Sequence, residues 1–393
     1  MASDIIDNIY SVGFDDPSCE RFESQYPLAH GMSYNSYLIT DRLTAIIDSV
    51  EEKGADVWFA NIKSVLADKS PDYIVVQHME PDHSGSLAKI AAAYPRMKIV
   101  ASAQALKMLS QFFPEASFAD RTIAVKEGDT LDLGEHKLSF YAAPMVHWPE
   151  VMVSYESATG TLFSADAFGK FGSLQYGDEW TPEARRYYIN IVGRYGSQVQ
   201  ALLRKIRGLE INRIASLHGP VLSAPLNEYL ALYDKWSAYE PETEGVLVAY
   251  ASIYGGTASA ALELAEKLRI AGVKGVVTAD LTTADVSEVV AQAFRLSHLV
   301  IASPTYDSGL FPAAYDFIHH LTLKNYRNRT VGYIENGSWA PTAARRMQAL
   351  MATMPGISDL EPVVTILSRL NEESRSQLAR LAEAVVESFP NKS

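Results

Sequence analysis

His78-Met79-Glu80-Pro81-Asp82-His83 places four nitrogen or oxygen donors within six residues, directly after the apolar run Ile74-Val75-Val76. A loop at the carboxyl end of a strand can turn alternate side chains toward one point. Imidazoles and carboxylates crowded there would repel or stay unpaired without a cation to hold them. Three further candidates lie downstream, each just after a strand-like run: His147 in Met145-Val146-His147-Trp148, Asp166 in Phe163-Ser164-Ala165-Asp166, and His218 in Ala215-Ser216-Leu217-His218-Gly219-Pro220. One histidine at a strand end is usually a satisfied polar residue. Seven such donors in one stretch of chain point to a metal centre built from His, Asp and Glu. Cys19 is the only cysteine, which excludes an intrachain disulfide and any thiolate-held iron–sulfur or rubredoxin-type iron.

Around this cluster the first part of the chain mixes strand pairs with helices. Residues 34–38 and 45–48 read as neighbouring strands about the turn Thr40-Asp41-Arg42, and 72–78 as a short buried strand followed by a helix over 86–93. Further strands are expected over 98–102, 137–142, 151–155, 161–164 and 213–217, with helical patterns over 182–207 and 226–239. The polar, proline-containing stretch Glu240-Pro241-Glu242-Thr243-Glu244 reads as a linker. It divides the chain into an expected first domain, 1–243, and a second, 244–393.

Beyond the linker the rhythm alternates strictly. Strands over 246–250, 276–279, 298–302, 330–334 and 363–366 are each followed by a helical pattern, over 257–271, 284–295, 312–323, 343–354 and 371–389. Five such units imply a doubly wound parallel sheet with right-handed crossovers, whose ligands bind at the carboxyl ends of the strands. The loop Ser252-Ile253-Tyr254-Gly255-Gly256-Thr257 stands between the first strand and the first helix. Its small residues and hydroxyls let backbone N–H groups close around a phosphate at a helix N-terminus. It matches neither the dinucleotide fingerprint nor the P-loop, and it holds no Lys or Arg, so backbone dipoles and hydroxyls must carry the charge. Ser303-Pro304-Thr305-Tyr306-Asp307-Ser308-Gly309 follows the third strand and Asn336-Gly337-Ser338-Trp339 the fourth. Both put an aromatic ring and polar backbone at the same sheet edge, as an isoalloxazine ring needs. The three loops together point to FMN.

The loop at 78–83, followed by a His, an Asp and a final His, resembles the metallo-β-lactamase fold. The dizinc hydrolases of that superfamily carry His where this chain has Glu80; a carboxylate is a harder, anionic donor that suits iron better than a zinc pair. With Glu80, Pro81 and the continuation Ser84-Gly85, the chain resembles the flavodiiron proteins (A-type flavoproteins), and its flavin loops are similar to the flavodoxin-like domain of that family. The resemblance spans nearly the whole chain. It implies an α/β protein: an N-terminal metallo-β-lactamase-like αββα sandwich followed by a flavodoxin-like doubly wound parallel sheet.

The same resemblance implies two non-haem iron ions and FMN as cofactors. His78, Glu80 and His147 match ligands of one iron, Asp82, His83 and His218 those of the other, and Asp166 the bridge. In some members of the family the residue matching His83 is not bound to metal. Asp48 matches a structural aspartate. The implied activity is reduction of dioxygen to water, of nitric oxide to nitrous oxide, or both. Electrons would come from an external donor, a rubredoxin or the reduced deazaflavin coenzyme F420, in a head-to-tail homodimer or a dimer of such dimers. The alternative is a dizinc hydrolase with a flavodoxin-like passenger domain. Trp148, Tyr187, Tyr188, Tyr195 and His30 are candidates for the walls of the metal pocket.

The balance of the composition agrees with this outline. At 393 residues, 48% hydrophobic and 21% charged, the chain is long enough for two cores. A net charge of −13 argues against a nucleic-acid partner, which needs a basic face. Apolar runs have strand length, so no membrane segment is expected. Met1-Ala2-Ser3-Asp4 opens without the basic and apolar regions of a secretory signal, and a cytoplasmic protein is expected.

Overall fold

The computed structural model describes residues 2–116 and 118–390; Met1, part of the N-terminal stretch considered above, lies outside them. The chain forms two compact units that divide between Asp234 and Lys235, inside the helix Asn227–Ser237. Residues 235–243, placed by composition in the first domain, thus belong to the second unit. The ties are local: Arg329 donates to the Tyr239 carbonyl at 2.8 Å, the Glu242 amide donates to the Arg295 carbonyl at 2.9 Å, and Thr243 begins the first strand of the second sheet, Thr243–Tyr250.

The first unit packs two sheets face to face. One has seven strands in the order Ser3–Ile6, Ile9–Ser11, Tyr37–Ile39, Ala45–Ile47, Tyr73–Val76, Lys98–Ser102 and Thr122–Val125. The other has six, Thr130–Asp132, Lys137–Ala142, Met152–Glu156, Thr161–Phe163, Arg213–Ala215 and Leu222–Ser223. Ile39, Ile47, Val75 and Val100 of the first meet Phe140, Met152, Phe163 and Ala215 of the second in one buried core. With its helices this is the αββα sandwich. The helical run expected over 182–207 is interrupted: α-helix Trp180–Tyr187 passes into a π turn, Tyr188–Val192, then a 3₁₀ turn, Gly193–Tyr195, before helix Gly196–Ile206 resumes. All five residues of the π turn are buried, and the wider turn lets consecutive side chains all face protein, Asn190 among them donating to the Arg186 carbonyl at 2.8 Å.

The second unit is a parallel sheet in the order Val276–Asp280, Thr243–Tyr250, Leu296–Tyr306, Arg329–Asn336, with Ile357–Asp359 and Val364–Ile366 both pairing with the last of these. This is the flavodoxin-like order, whose switch point lies between the first and third strands. Sequence periodicity placed one strand at 363–366; the chain instead makes two short ones, with the cis-proline Pro362 between them. Among the described residues no helix is long and apolar enough to cross a membrane.

Candidate metal centre and flavin site

Strand Tyr73–Val76 is buried along its last three residues, and the chain leaves it into Gln77 and His78. Asp48, at the end of the neighbouring strand, fixes that exit: its Oδ1 accepts from the amides of Gln77 at 2.8 Å and His78 at 3.2 Å. Burial pushes the Asp48 carboxyl up to about 6 despite these amides and the nearby imidazoles. Pro81, with its preset φ, starts the one-turn helix Pro81–Ser84, which carries Asp82 and His83. Ser84 Oγ donates to the Met79 carbonyl at 2.7 Å and locks the turn onto the loop before it. His147 sits in a turn closed by the Met145 amide on the Trp148 carbonyl at 2.7 Å. Asp166 and His218 follow two adjacent parallel strands, Thr161–Phe163 and Arg213–Ala215, and the Leu217 amide on the Ala165 carbonyl, at 2.9 Å, keeps the two loops together.

These elements bring the seven donors into two groups: His78, Glu80, His147 and Asp166 in one, Asp82, His83 and His218 in the other. Asp166 joins them. Its Oδ2 lies 3.3 Å from His78 Nε2 and 3.1 Å from His147 Nε2, while its Oδ1 lies 3.2 Å from His83 Nε2 and 3.8 Å from His218 Nε2. Glu80 Oε2 stands 3.2 Å from His78 Nε2 and 3.0 Å from His147 Nε2. Asp82 Oδ2 stands 3.1 Å from His83 Nε2 and 3.2 Å from His218 Nε2. Every Nε2 therefore points inward, and two of them, on His83 and His218, face each other at 3.1 Å.

The donor set fits a pair of cations. Both oxygens of Asp82 and Oδ1 of Asp166 are buried without a hydrogen-bond donor, which is costly unless a positive charge sits beside them. Without a metal the imidazoles must supply that charge. Burial alone would keep them neutral, but Asp82 and Asp166 overcome it and raise His83 to about 10. Asp166 and Glu80 likewise raise His147 to about 9. Metal ions of the hard to borderline class would replace those protons.

The far side of each ring matters as well. His78 Nδ1 meets Glu150 Oε1 at 2.8 Å, and the same oxygen accepts the Met79 amide at 2.9 Å. His218 Nδ1 donates to the Ser33 carbonyl at 2.6 Å. Neither Glu150 nor Ser33 was singled out from sequence. The signal for Glu150 was an acidic residue three positions after His147, but its partner is fixed only once the hairpin lies beside the 78–83 loop. Glu150→Gln keeps the shape and removes the charge that orients and strengthens His78. It is expected to weaken iron at the His78 group by about 10–100-fold, read by titrating the apo-protein with ferrous ion.

Of the aromatic candidates, Tyr187 packs its ring 5.4 Å from that of His218, and its hydroxyl is buried without a partner. Trp148 stands edge-on to His78 at 5.3 Å. Tyr188 instead packs on Tyr233, and Tyr195 caps helix Gly196–Ile206. His30 pairs with Asp178 and stacks on Tyr176. Phe22 and Tyr34, not considered from sequence, both lie edge-on to His218, at 5.3 and 5.8 Å.

In the second unit a cavity of about 670 Å³ opens at the carboxyl edge of the sheet. It is lined by Ser252, Ile253, Tyr254, Gly256 and Thr257 of the first loop, Pro304, Thr305, Tyr306 and Asp307 of the next, and Asn336, Gly337, Ser338 and Trp339 of the third. Gly255, Ser303 and Gly309, named with them from sequence, do not line it. Gly255 acts through backbone shape, at φ +84°, and Ser303 is buried with its hydroxyl on the Pro304 carbonyl. Ser308, Ala340, Thr342, Ser368 and Arg369 line the cavity without having been foreseen, and Arg369 gives it a cation that the first loop lacks.

The loops are tied to one another. Ser252 Oγ accepts the amides of Gly255 and Ala258 at 3.1 and 3.2 Å, shaping the N-terminus of helix Gly256–Ile270. Asn336 donates to Thr257 Oγ1 at 3.3 Å and to the Ser368 carbonyl at 3.2 Å, and accepts the Ser368 amide at 3.0 Å. Tyr254 and Trp339 are 94% and 91% exposed, so both rings are free to stack on a planar ligand. A phosphate at the helix N-terminus and a flat ring between aromatics fit this cradle.

Residues 32–219 match the family described as ODP family beta lactamase. Diflavin flavoprotein A 1 of Synechocystis is 33% identical over 309 residues, covering 76% of this chain and 53% of that protein. The anaerobic nitric oxide reductase flavorubredoxin of Escherichia coli is 28% identical over 361 residues, 88% of this chain and 74% of that one. The chain spans about half the length of the diflavin flavoproteins it matches. Among solved structures, rubredoxin oxygen:oxidoreductase from Desulfovibrio gigas superposes with a TM-score of 0.92 at 25% identity, covering 99% of this chain and 98% of that one. The flavodiiron protein of Giardia intestinalis shares the fold, with a TM-score of 0.90 at 24% identity over 98% and 97% of the two chains.

Proposed function

This chain belongs to the flavodiiron protein family, and from that premise we propose that it is an oxidoreductase reducing dioxygen, nitric oxide or both. The observation that carries the proposal is Asp166, whose two oxygens each face one group of donors and whose Oδ1 is buried without a hydrogen-bond partner. Two iron ions held by these seven residues would bind the gas and pass it electrons, replenished by FMN in the second unit's cradle. His78, Glu80 and His147 would hold one ion, Asp82, His83 and His218 the other, with Asp166 between them.

The chain's own groups then set the conditions. Glu80, Asp82 and Asp166 supply three negative charges, which offset much of the charge of a metal pair and favour its higher oxidation state. Glu150 makes the His78 imidazole a stronger donor. Phe22 and Tyr187 pack on His218, with Phe171 against both of them, and His218 is fully buried from bulk water. Burial, reinforced by the charges of Asp166, Asp82 and Glu80, holds the Tyr187 phenol protonated far above its usual range, so it stays an O–H donor at any working pH. That hydroxyl has no hydrogen-bond partner among the described residues and would be free to donate to a gas bound in the pocket. Tyr187→Phe is expected to lower turnover about 10–100-fold with iron content unchanged, the worth of one hydrogen bond to a charged group; steady-state gas consumption by the two proteins measures it.

For the electron donor, we favour a rubredoxin-type protein, supported by the names of the Desulfovibrio and Escherichia relatives. A head-to-tail homodimer completes the proposal: a monomeric variant should keep both cofactors and lose turnover. The preference between gases is tested by mixing the anaerobically reduced protein with each in a stopped-flow instrument. Reoxidation of flavin and iron by at least one gas supports the proposal. Inertness toward both contradicts it.

A further inference from the structure

A row of oxidisable rings runs to the surface from the backbone of Phe168. Tyr233 is fully buried, and its hydroxyl accepts the amide of Phe168, two residues beyond Asp166. The indole N–H of Trp180 donates to the carbonyl of the same Phe168 at 3.2 Å. Both rings thus hang by hydrogen bonds from one residue, Phe168, two positions along the chain from Asp166. Tyr233 and Trp180 have ring centroids 6.4 Å apart, and Trp180 and Tyr229 4.9 Å. Tyr229 is half-buried and so reaches solvent.

We propose that Tyr233, Trp180 and Tyr229 form a one-electron path that drains oxidising equivalents from the metal pair to the surface. The proposal rests on the gas-reducing diiron centre argued above. A centre that meets dioxygen before its flavin has been reduced keeps oxidising power beside buried side chains, and the imidazoles and Tyr187 are its first targets. Tryptophan and tyrosine lose one electron far more readily than phenylalanine or aliphatic residues. Electron transfer also slows exponentially with each gap, so several short hops outrun one long one. Close ring packing by itself stabilises a core, and phenylalanine does that equally well, as Phe168 shows by stacking on Tyr233 at 4.0 Å. What distinguishes the row is that all three members are oxidisable and that the inner two, Tyr233 and Trp180, are hydrogen-bonded to one residue, Phe168.

The balance is simple. The centre gains one electron; Tyr233 and Trp180 each give one and regain one; Tyr229 gives one and releases its phenolic proton to water. A soluble one-electron reductant of the thiol class then returns an electron to Tyr229, which takes a proton back from water. Trp148 offers a competing exit, since it touches His78 and is itself half-buried, with the non-oxidisable Phe112 stacked beyond it.

The test uses the full chain loaded with iron and FMN, given excess dioxygen, too little reductant and a nitroso spin trap, with adducts mapped by peptide mass spectrometry. The expected result is an adduct on Tyr229. Trp180→Phe should lose that adduct, and Tyr229→Phe should move it inward to Trp180 and Tyr233 while leaving oxygen uptake unchanged. Equal labelling of Tyr229 in the Trp180→Phe protein, or labelling confined to Trp148 in the unmodified one, overturns the path. Iron content and oxygen uptake of the same samples separate the two proposals. Uptake without any trapped radical overturns the path alone, whereas a chain that binds no iron and takes up no gas overturns both.

Discussion

Asp166→Ala is expected to abolish gas reduction by stripping iron from both groups of donors. Asp166 is the single residue whose oxygens face all four histidines, at 3.1 to 3.8 Å. Removing one partner from a buried set of charges costs about 3–5 kcal/mol, roughly two to three and a half decades of metal affinity. Asp166→Asn separates the bridge from the space it fills. The amide keeps one acceptor oxygen, so one group should retain iron and the other lose it, with turnover still absent. Metal analysis and circular dichroism of the two variants, side by side, distinguish lost coordination from lost folding. Two irons retained in the alanine variant would remove Asp166 from the proposed centre.

The second large effect lies in the other unit. A Cβ on Gly256 would stand 2.2 Å from the Ser368 carbonyl oxygen and 3.0 Å from Asn336 Nδ2. Neither can retreat, because Asn336 is the residue that ties Thr257 of the first loop to Ser368. Gly256→Val must therefore push the segment at Ser368 away and open the phosphate cradle. Overpacking of this kind costs about 1–3 kcal/mol, which is roughly a 5- to 150-fold loss of FMN affinity. The purified variant is expected to be colourless at flavin wavelengths yet to hold its full iron, and to turn over only when free FMN is added in excess. Loss of iron along with flavin would contradict the assignment of the two cofactors to separate units.

What the sequence revealed depended on how local each device was. The 78–83 loop was legible because four donors fall within six residues and the strand before it is a plain apolar run. Glu80 was legible as chemistry, since one substituted donor type separates iron from zinc. Glu150 was not: Trp148-Pro149-Glu150 looks like a surface turn until the hairpin folds against the loop carrying His78. The same holds in the flavin site. Ser252, Tyr306 and Trp339 stand in loops whose small residues and aromatics mark them, whereas Ser368 and Arg369 follow a short edge strand with no such mark. The π turn at 188–192 escaped for another reason. Its residues are helix-compatible and lack proline, and only their burial on every side makes the widened turn favourable.

The most direct test of the central claim is the metal and flavin content of the full-length protein purified in air without chelator. The expected result is two iron ions and one FMN per chain, one metal for each group of donors and one flavin for the single cradle described. Zinc as the only stoichiometric metal, with no flavin retained, would contradict it.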